Sequence, residues 1–439
     1  MKRLIDDQLT QWKDGRHRKP LILRGARQVG KTWSLRRFGE QCFDSVVLVD
    51  LERNSDWHHI FDKNLQSRRI CGELEIVTGR KIVPGKTLLF FDEIQACPRA
   101  VTALRYFYEE MPDLHVVAAG SLLEFTLKDI SIPVGRVKFL HMHPLCFAEY
   151  LQGIGREDAA AIILNQPSCL SDTIHNFLCD HLRNYFFIGG MPECVTAYAE
   201  SGSFQESFEV QAGICDTYRM DFAKYTPRTD RYCLDAVFTA ASRSVGKQIK
   251  YAGLAEGYTN PTLKKAFELL RFANLIKKIP STDPSGLPLG AGVSGKVFKA
   301  LILDVGLMRY LTKMPVDVEY SKSNLLTMYQ GALAEQFVGQ EMLLSQNQDL
   351  YYWARRAKSS SAEVDYLAVC KGGIYPVEVK SGAAGRLKSL HLFLKKYLHS
   401  PYGIVFSDRP YAELPEHKLK FIPLYFAYAA TGGSKEHLT

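Results

Sequence analysis

Apolar residues in the first 150 positions fall in short runs with few polar interruptions, separated by stretches in which they recur at helical spacing. Leu21-Ile-Leu23, Ser45–Leu51, Thr87–Asp92 and His115–Ala119 read as buried strands, and Val137–His141 as a further short one. Helical patterns run from Leu4 to Asp14, Trp33 to Phe38 and Ala100 to Glu110. Strands alternating with helices predict a parallel sheet covered by helices. From about 150 to 225 the pattern is helical throughout (Ala159–Leu164, Ile174–Phe187), broken at Gly189-Gly190-Met191-Pro192.

The period changes again further on. Asn260-Pro261 is a helix start, with Asn as cap and Pro at the first helical position, and Leu263, Ala266, Phe267 and Leu270 line one face. A short helix candidate, Ile249–Ala255, precedes it, and two strand-like runs follow around the Pro/Gly-rich Ser281–Gly295. That order predicts a winged helix-turn-helix. Beyond it, the helix-like Gly331–Leu344 leads to two strands, Glu363–Val369 and Ile374–Lys380, joined around Gly372-Gly373.

The candidate chemistry begins at Gly25-Ala26-Arg27-Gln28-Val29-Gly30-Lys31-Thr32, between the first strand and a helix. This is the phosphate-binding P-loop pattern. The glycines permit backbone that turns successive N–H groups toward an anion, and the helix N-terminus adds its dipole. Lys31 is expected on the β- and γ-phosphates of ATP and Thr32 on Mg²⁺. Asp92 would hold the Mg²⁺ through water, and Glu93 would polarise the attacking water. Ser121 follows the fourth strand, where it would sense the γ-phosphate or serve as a plain turn residue. Arg136 is the best-placed arginine for a finger within or between subunits, with a solvated surface role as its alternative. The helices after 150 are expected to form a lid over the nucleotide. His141 and His143 share one side of a strand without a third ligand nearby and are read as structural.

Size and composition narrow the class. The chain has 439 residues, too many for one core, and 46% hydrophobic content supports folded domains. Ten cysteines occur without a CxxC pair or zinc spacing, no apolar run approaches a bilayer span, and the N-terminus is too polar for a signal peptide. A soluble protein of the reducing cytoplasm, off the membrane, is expected. The net charge of +8 carries little by itself, but residues 240–300 hold ten Lys/Arg against three acids. That surplus points to DNA as partner of the winged helix, with a protein partner as the competing class.

The C-terminal strands carry a second constellation. With Gly372-Gly373 as the hairpin loop, Asp365 would face Lys380, and Asp365, Glu378 and Lys380 would share one face, the two acids as diagonal neighbours. Asp365 and Glu378 would hold Mg²⁺ while Lys380 orients the nucleophile, as metal-assisted phosphodiester hydrolysis requires. Glu335, on the protein-facing side of its helix, could complete the site. The pattern resembles the PD-(D/E)xK nuclease core, with the usual proline absent before Asp365. Such domains also serve as inactive binding platforms.

Gly25–Thr32, Phe90–Gln95, Ala119–Glu124, His143–Glu149, Gly189–Pro192 and Asp304–Leu307, in that order, resemble a prokaryotic family of AAA-like ATPases. In that family a P-loop domain is joined to a C-terminal domain of restriction-endonuclease type and unknown function. Taken with the patterns above, the expectation is an α/β protein with an AAA-type ATPase domain over 1–150, a helical lid over 151–230, a winged helix-turn-helix over 231–318 and a PD-(D/E)xK nuclease-like domain over 319–439. The resemblance implies ATP binding, and leaves oligomerisation open.

Overall fold

The computed structural model of the protein describes residues 2–121, 123, 135–225, 230–314, 327–346, 349–357, 360–380 and 387–433. Leu122 and Glu124 of the expected Ala119–Glu124 motif lie outside the described residues, as does position 319, the expected start of the C-terminal domain. The chain divides into two compact units: Met1–Pro144 with Phe272–Asn274, and Leu145–Arg271 with Leu275–Thr439.

In the first unit all five expected strands form. They are β1 (Leu21–Arg24), β2 (Ser45–Asp50), β3 (Thr87–Asp92), β4 (His115–Ala119) and β5 (Lys138–His141), parallel throughout in the order β2-β3-β4-β1-β5. Every residue of β3 and β4 is buried, which is why these runs lack polar alternation. The helices are α1 (Ile5–Lys13), α2 (Lys31–Cys42), α3 (Ser67–Thr78) and α4 (Pro98–Glu110). Phe91 sits between Phe61 and Phe107, with ring centroids 5.9 Å from each. A Cβ at Gly39 would stand 2.6 Å from Val46 and 2.9 Å from Leu88, so a glycine lets α2 lie close on the sheet.

The second unit opens with α5 (Phe147–Gly153), α6 (Glu157–Leu164), α7 (Asp172–Ile188), α8 (Pro192–Ser201) and α9 (Phe204–Tyr225). The helices expected as a lid thus group with the C-terminal half of the chain. α10 (Arg231–Arg243) is capped by the Asp230 carboxylate, and α11 (Asn260–Phe272) buries Leu263, Ala266, Phe267 and Leu270 as its spacing predicts. Next come β6 (Ile276–Thr282), β7 (Val293–Ile302), α12 (Val305–Leu311), α13 (Thr327–Gln346), β8 (Tyr351–Ala357), β9 (Ser360–Cys370), β10 (Gly373–Val379), α14 (Lys388–Lys396), β11 (Gly403–Ser407), β12 (Ala412–Leu414) and β13 (Leu419–Pro423).

These strands make one eight-stranded sheet, β12-β13-β11-β10-β9-β8-β6-β7. The hairpin expected to be the wing, β6–β7, joins it through a parallel bridge from Ser281 to Tyr352. The sheet therefore runs across the domain boundary expected at 318. Among the described residues no helix is long and apolar enough to cross a membrane. The ten cysteines are free thiols, most of them buried.

The motif stretches at Gly189 and Asp304 meet in the second unit. The buried Asp304 carboxylate accepts from the Gly190 N–H at 2.6 Å and from the Leu307 N–H at 3.0 Å, capping α12. Burial pushes this carboxyl up to about 6, against the hydrogen bonds from the backbone. A Cβ on Gly190 would lie 2.0 Å from the Leu145 carbonyl, and one on Gly306 2.6 Å from that of Ile188. The break between α7 and α8 is required by this close approach.

Candidate functional site

Three chain exits converge on one edge of the first sheet. Leu23 pairs with Ala119 and Phe91 with Ala118, so the phosphate loop, Ser121 and Asp92 all leave the sheet at its C-terminal side. Ligand sites of open parallel sheets form at that edge, because the loops there diverge. Gly25 (φ 147°), Gln28 (φ 64°) and Gly30 (φ 94°) give the loop the left-handed turns that build an anion nest. No side chain fits at Gly25, whose Cβ would be 2.2 Å from the Met142 carbonyl.

Lys31, the first residue of α2, is buried and donates to the Gly25 carbonyl at 3.0 Å and the Ala26 carbonyl at 2.7 Å. Thr32 Oγ1 donates to Asp92 Oδ1 at 3.2 Å, and the Glu93 N–H reaches the same oxygen at 3.1 Å. Burial pushes the Asp92 carboxyl up to about 6, with the Thr32 hydrogen bond opposing. A hydroxyl and a carboxylate in contact at the mouth of a phosphate loop are a fitting donor set for Mg²⁺.

Glu93 adopts φ 46°, and its side chain accepts from Gln95 Nε2. Ser121 is buried and accepts from Arg27 Nε at 3.4 Å, so a loop residue and the expected sensor are in contact.

Arg136 is not brought to this site. β5 pairs with β1 from Leu21↔Lys138 to Arg24↔His141, which puts Arg136 at the N-terminal edge, where it binds Glu109 at 3.0 Å. A finger role within the subunit is thereby corrected: the direction of β5 carries Arg136 to the wrong end of the sheet. His141 and His143 meet edge to face at 4.6 Å. Sequence reading missed Arg3, whose buried guanidinium donates to the Val29 carbonyl at 3.0 Å and the His143 carbonyl at 2.8 Å, bracing the phosphate loop.

The C-terminal constellation forms with a different register. Pairing runs from Gly373↔Cys370 to Val377↔Tyr366, and the loop is Lys371-Gly372, at φ 48° and 76°. Both positions take the positive φ of a tight hairpin turn, while Gly373 enters the strand, where a Cβ would stand 3.0 Å from the Tyr375 ring. The shift of two keeps the predicted face but sets Asp365 opposite Glu378 instead of Lys380. Asp365 Oδ2 accepts from the Val379 N–H at 2.9 Å, and Lys380 Nζ donates to Glu378 Oε1 at 2.5 Å.

Glu335, on α13, reaches this cluster together with Lys299, one of the ten basic residues of 240–300. Lys299 of β7, with a side chain 2% exposed, places Nζ 2.9 Å from Glu335 Oε1, 2.6 Å from Glu363 Oε1 and 3.1 Å from Asp365 Oδ1. Burial would lower its ammonium, yet the charges of Asp365, Glu335 and Glu363 outweigh that and hold it well above the usual lysine value. Burial and the Asp365 charge push Glu335 and Glu378 up to about 7, with Lys299 and Lys380 opposing. One ammonium shared among three carboxylates favours its own charge more than that of any single acid, so Lys299 is held charged while burial keeps Glu335 raised. Among the described residues no group of three or more His, Cys, Asp or Glu is disposed to hold a metal ion. A signal for Lys299 was available, a single charge inside the apolar run Phe298-Lys299-Ala300-Leu301-Ile302.

The first unit's sheet order, phosphate loop and Thr32–Asp92 contact define a P-loop ATPase domain of the AAA-like class. Residues 17–151 match the family model described as an AAA domain. Residues 179–317 and 330–426 match two domains of unknown function, DUF8612 and DUF4143. No curated protein matches the chain. Among solved structures, the Walker-type ATPase PABY2304 of Pyrococcus abyssi is similar at 16% identity and a TM-score of 0.44, over 71% of this chain and 95% of that one. The RuvB Holliday junction branch migration motor of Thermotoga maritima is similar at 17% identity and 0.28, over 62% and 86%. The Orc1 protein of Aeropyrum pernix, in complex with DNA, is similar at 12% identity and 0.28, over 72% and 91%.

Proposed function

We propose that the protein is a Mg²⁺-dependent ATPase, converting ATP and water to ADP and phosphate, that acts on DNA. The observation carrying the ATPase reading is the contact of Thr32 with Asp92 at the mouth of the phosphate loop. Lys31 exchanges the Gly25 and Ala26 carbonyls for phosphate oxygens, Glu93 orients the attacking water, and Ser121 senses the γ-phosphate. Thr32 and Asp92 would hold Mg²⁺, which neutralises charge on the phosphate oxygens during transfer. Arg136, exposed at the far edge of its sheet, is available only to a neighbouring subunit of an oligomer. Asp92→Asn tests the assignment: nucleotide affinity should lose its dependence on Mg²⁺, and an unchanged dependence would overturn it.

DNA contact rests on the basic surplus, of which Lys264 and Lys265 are exposed on α11. Binding should fall steeply with salt, by counterion release, and charge reversal at both should weaken it across sequences alike. Absence of salt-dependent binding at low ionic strength would favour a protein partner.

For the C-terminal unit, phosphodiester hydrolysis by Glu335, Asp365, Glu378 and Lys380 in a nuclease-like fold is one reading. A second, favoured by the position of Lys299, is a nucleotide-switched interaction module whose nuclease-like fold is inactive.

A further inference from the structure

A divalent cation in a carboxylate cluster does two things: it neutralises acids that burial would otherwise protonate, and it pins together the elements that carry them. In the second unit both tasks fall to Lys299. Its ammonium touches carboxylate oxygens of Glu335 on α13 and of Glu363 and Asp365 on β9, at 2.6 to 3.1 Å. We propose that Lys299 is a built-in cation that takes the position of a divalent metal, so that the folded C-terminal unit excludes the metal and does not cut phosphodiesters.

Four features support this beyond the ion pairs themselves. β7 is fixed beside the site, since Gln336 of α13 accepts from the Ile302 N–H at 2.9 Å and donates to the Ile302 carbonyl at 2.7 Å, three residues from Lys299. The segment before α11 closes over the same acids: Gln248 Nε2 donates to Glu363 Oε2, and a Cβ on Gly246 would stand 3.0 Å from Glu335 Oε2. The Lys299 ammonium lies 5.5 Å from the centre of the Tyr352 ring, which covers it from a further side. Finally, Glu378 Oε2 is buried without a hydrogen-bond partner among the described residues, while Oε1 is taken by Lys380. An acid with one oxygen left over is what remains of a metal site whose cation has been replaced by a charge of one.

The proposal rests on the reading of Glu335, Asp365 and Glu378 as a nuclease-like cluster, and the test separates the two. Mn²⁺ binding to nucleotide-free full-length protein is followed by electron paramagnetic resonance and calorimetry, with thermal melting alongside. The chains compared are wild type, Lys299→Met, Lys299→Ala, Asp365→Asn and Lys299→Met with Asp365→Asn. Wild type and Asp365→Asn should bind Mn²⁺ alike, and Mn²⁺ should shift their melting temperatures by the same amount. Lys299→Met or Lys299→Ala should gain a site for a single Mn²⁺, and its melting temperature should rise with Mn²⁺. Asp365→Asn in the Lys299→Met chain should abolish that gain. Wild-type Mn²⁺ binding that Asp365→Asn removes would overturn the proposal and leave the metal-site reading standing. No gained site in either Lys299 variant, including failure of both to fold in Mn²⁺, would overturn the proposal and the cluster reading together.

Discussion

The phosphate loop and the C-terminal acid cluster are each centred on a buried lysine, and the partners of the two lysines differ in kind. Lys31 donates to two neutral carbonyls of its own loop, five and six residues away in sequence. Lys299 is held by three carboxylates, 36 to 66 residues away, on two other elements. Carbonyl bonds can be exchanged for phosphate oxygens of higher charge, so Lys31 gains by transfer to an anion. Lys299 cannot move without leaving the buried Glu335 and the partly buried Asp365 and Glu363 without their shared cation. On the proposed reading, the same residue type would serve a ligand in one unit and replace one in the other.

The largest effect on nucleotide binding that would break this comparison is at Lys31. Lys31→Ala should reduce ATP affinity by at least about 100-fold, roughly 2.7 kcal/mol, as checked by titration with a fluorescent nucleotide. Lys299→Met should lower stability by about 3–5 kcal/mol in denaturant titrations without metal, since it leaves buried carboxylates unpaired. Adding Glu335→Gln to it should recover part of that loss, and no recovery would mean that packing rather than charge holds the lysine.

A smaller effect is expected at the brace of the phosphate loop. Arg3→Met should cost about 1–3 kcal/mol and weaken nucleotide binding, because the Val29 and His143 carbonyls lose a charged donor. A stability loss with unchanged nucleotide affinity would confine Arg3 to the fold.

Buried acid without a lysine completes the series. Glu341 of α13 accepts from the Phe147 N–H at 2.9 Å, and burial pushes its carboxyl up to about 8, with that hydrogen bond opposing. A raised acid binds its proton more tightly when folded, so the folded state is favoured at low pH and loses that advantage as pH rises from the ordinary carboxyl range toward 8. Glu341→Gln should flatten the fall in stability over that window, measured by melting between pH 5 and 8.

How much of this was legible depended on whether the partners were local in sequence. Gly25–Thr32 is contiguous and lies between a strand and a helix, and the unbroken apolar runs of β3 and β4 declare strands buried on both faces. Asp92 and Ser121 followed, because a parallel sheet delivers strand ends to one edge. Arg136 misled because its distance from that edge depends on the direction of β5. The carboxylate cluster was visible in its acids and hidden in its base. Lys299 counted as surface charge because its partners come from β9 and α13. The hairpin register slipped by two because Gly373 serves to admit the Tyr375 ring rather than to turn the chain.

Steady-state phosphate release together with nucleotide binding, in Mg²⁺, for wild type and Glu93→Gln tests the central claim most directly. Glu93→Gln keeps the shape of the side chain and removes its ability to polarise water. It should bind ATP with wild-type affinity and turn it over about 100-fold or more slowly, in the range expected for loss of a general base. Wild-type turnover in Glu93→Gln, or no phosphate release by the wild-type chain on its own or with DNA, would contradict the account.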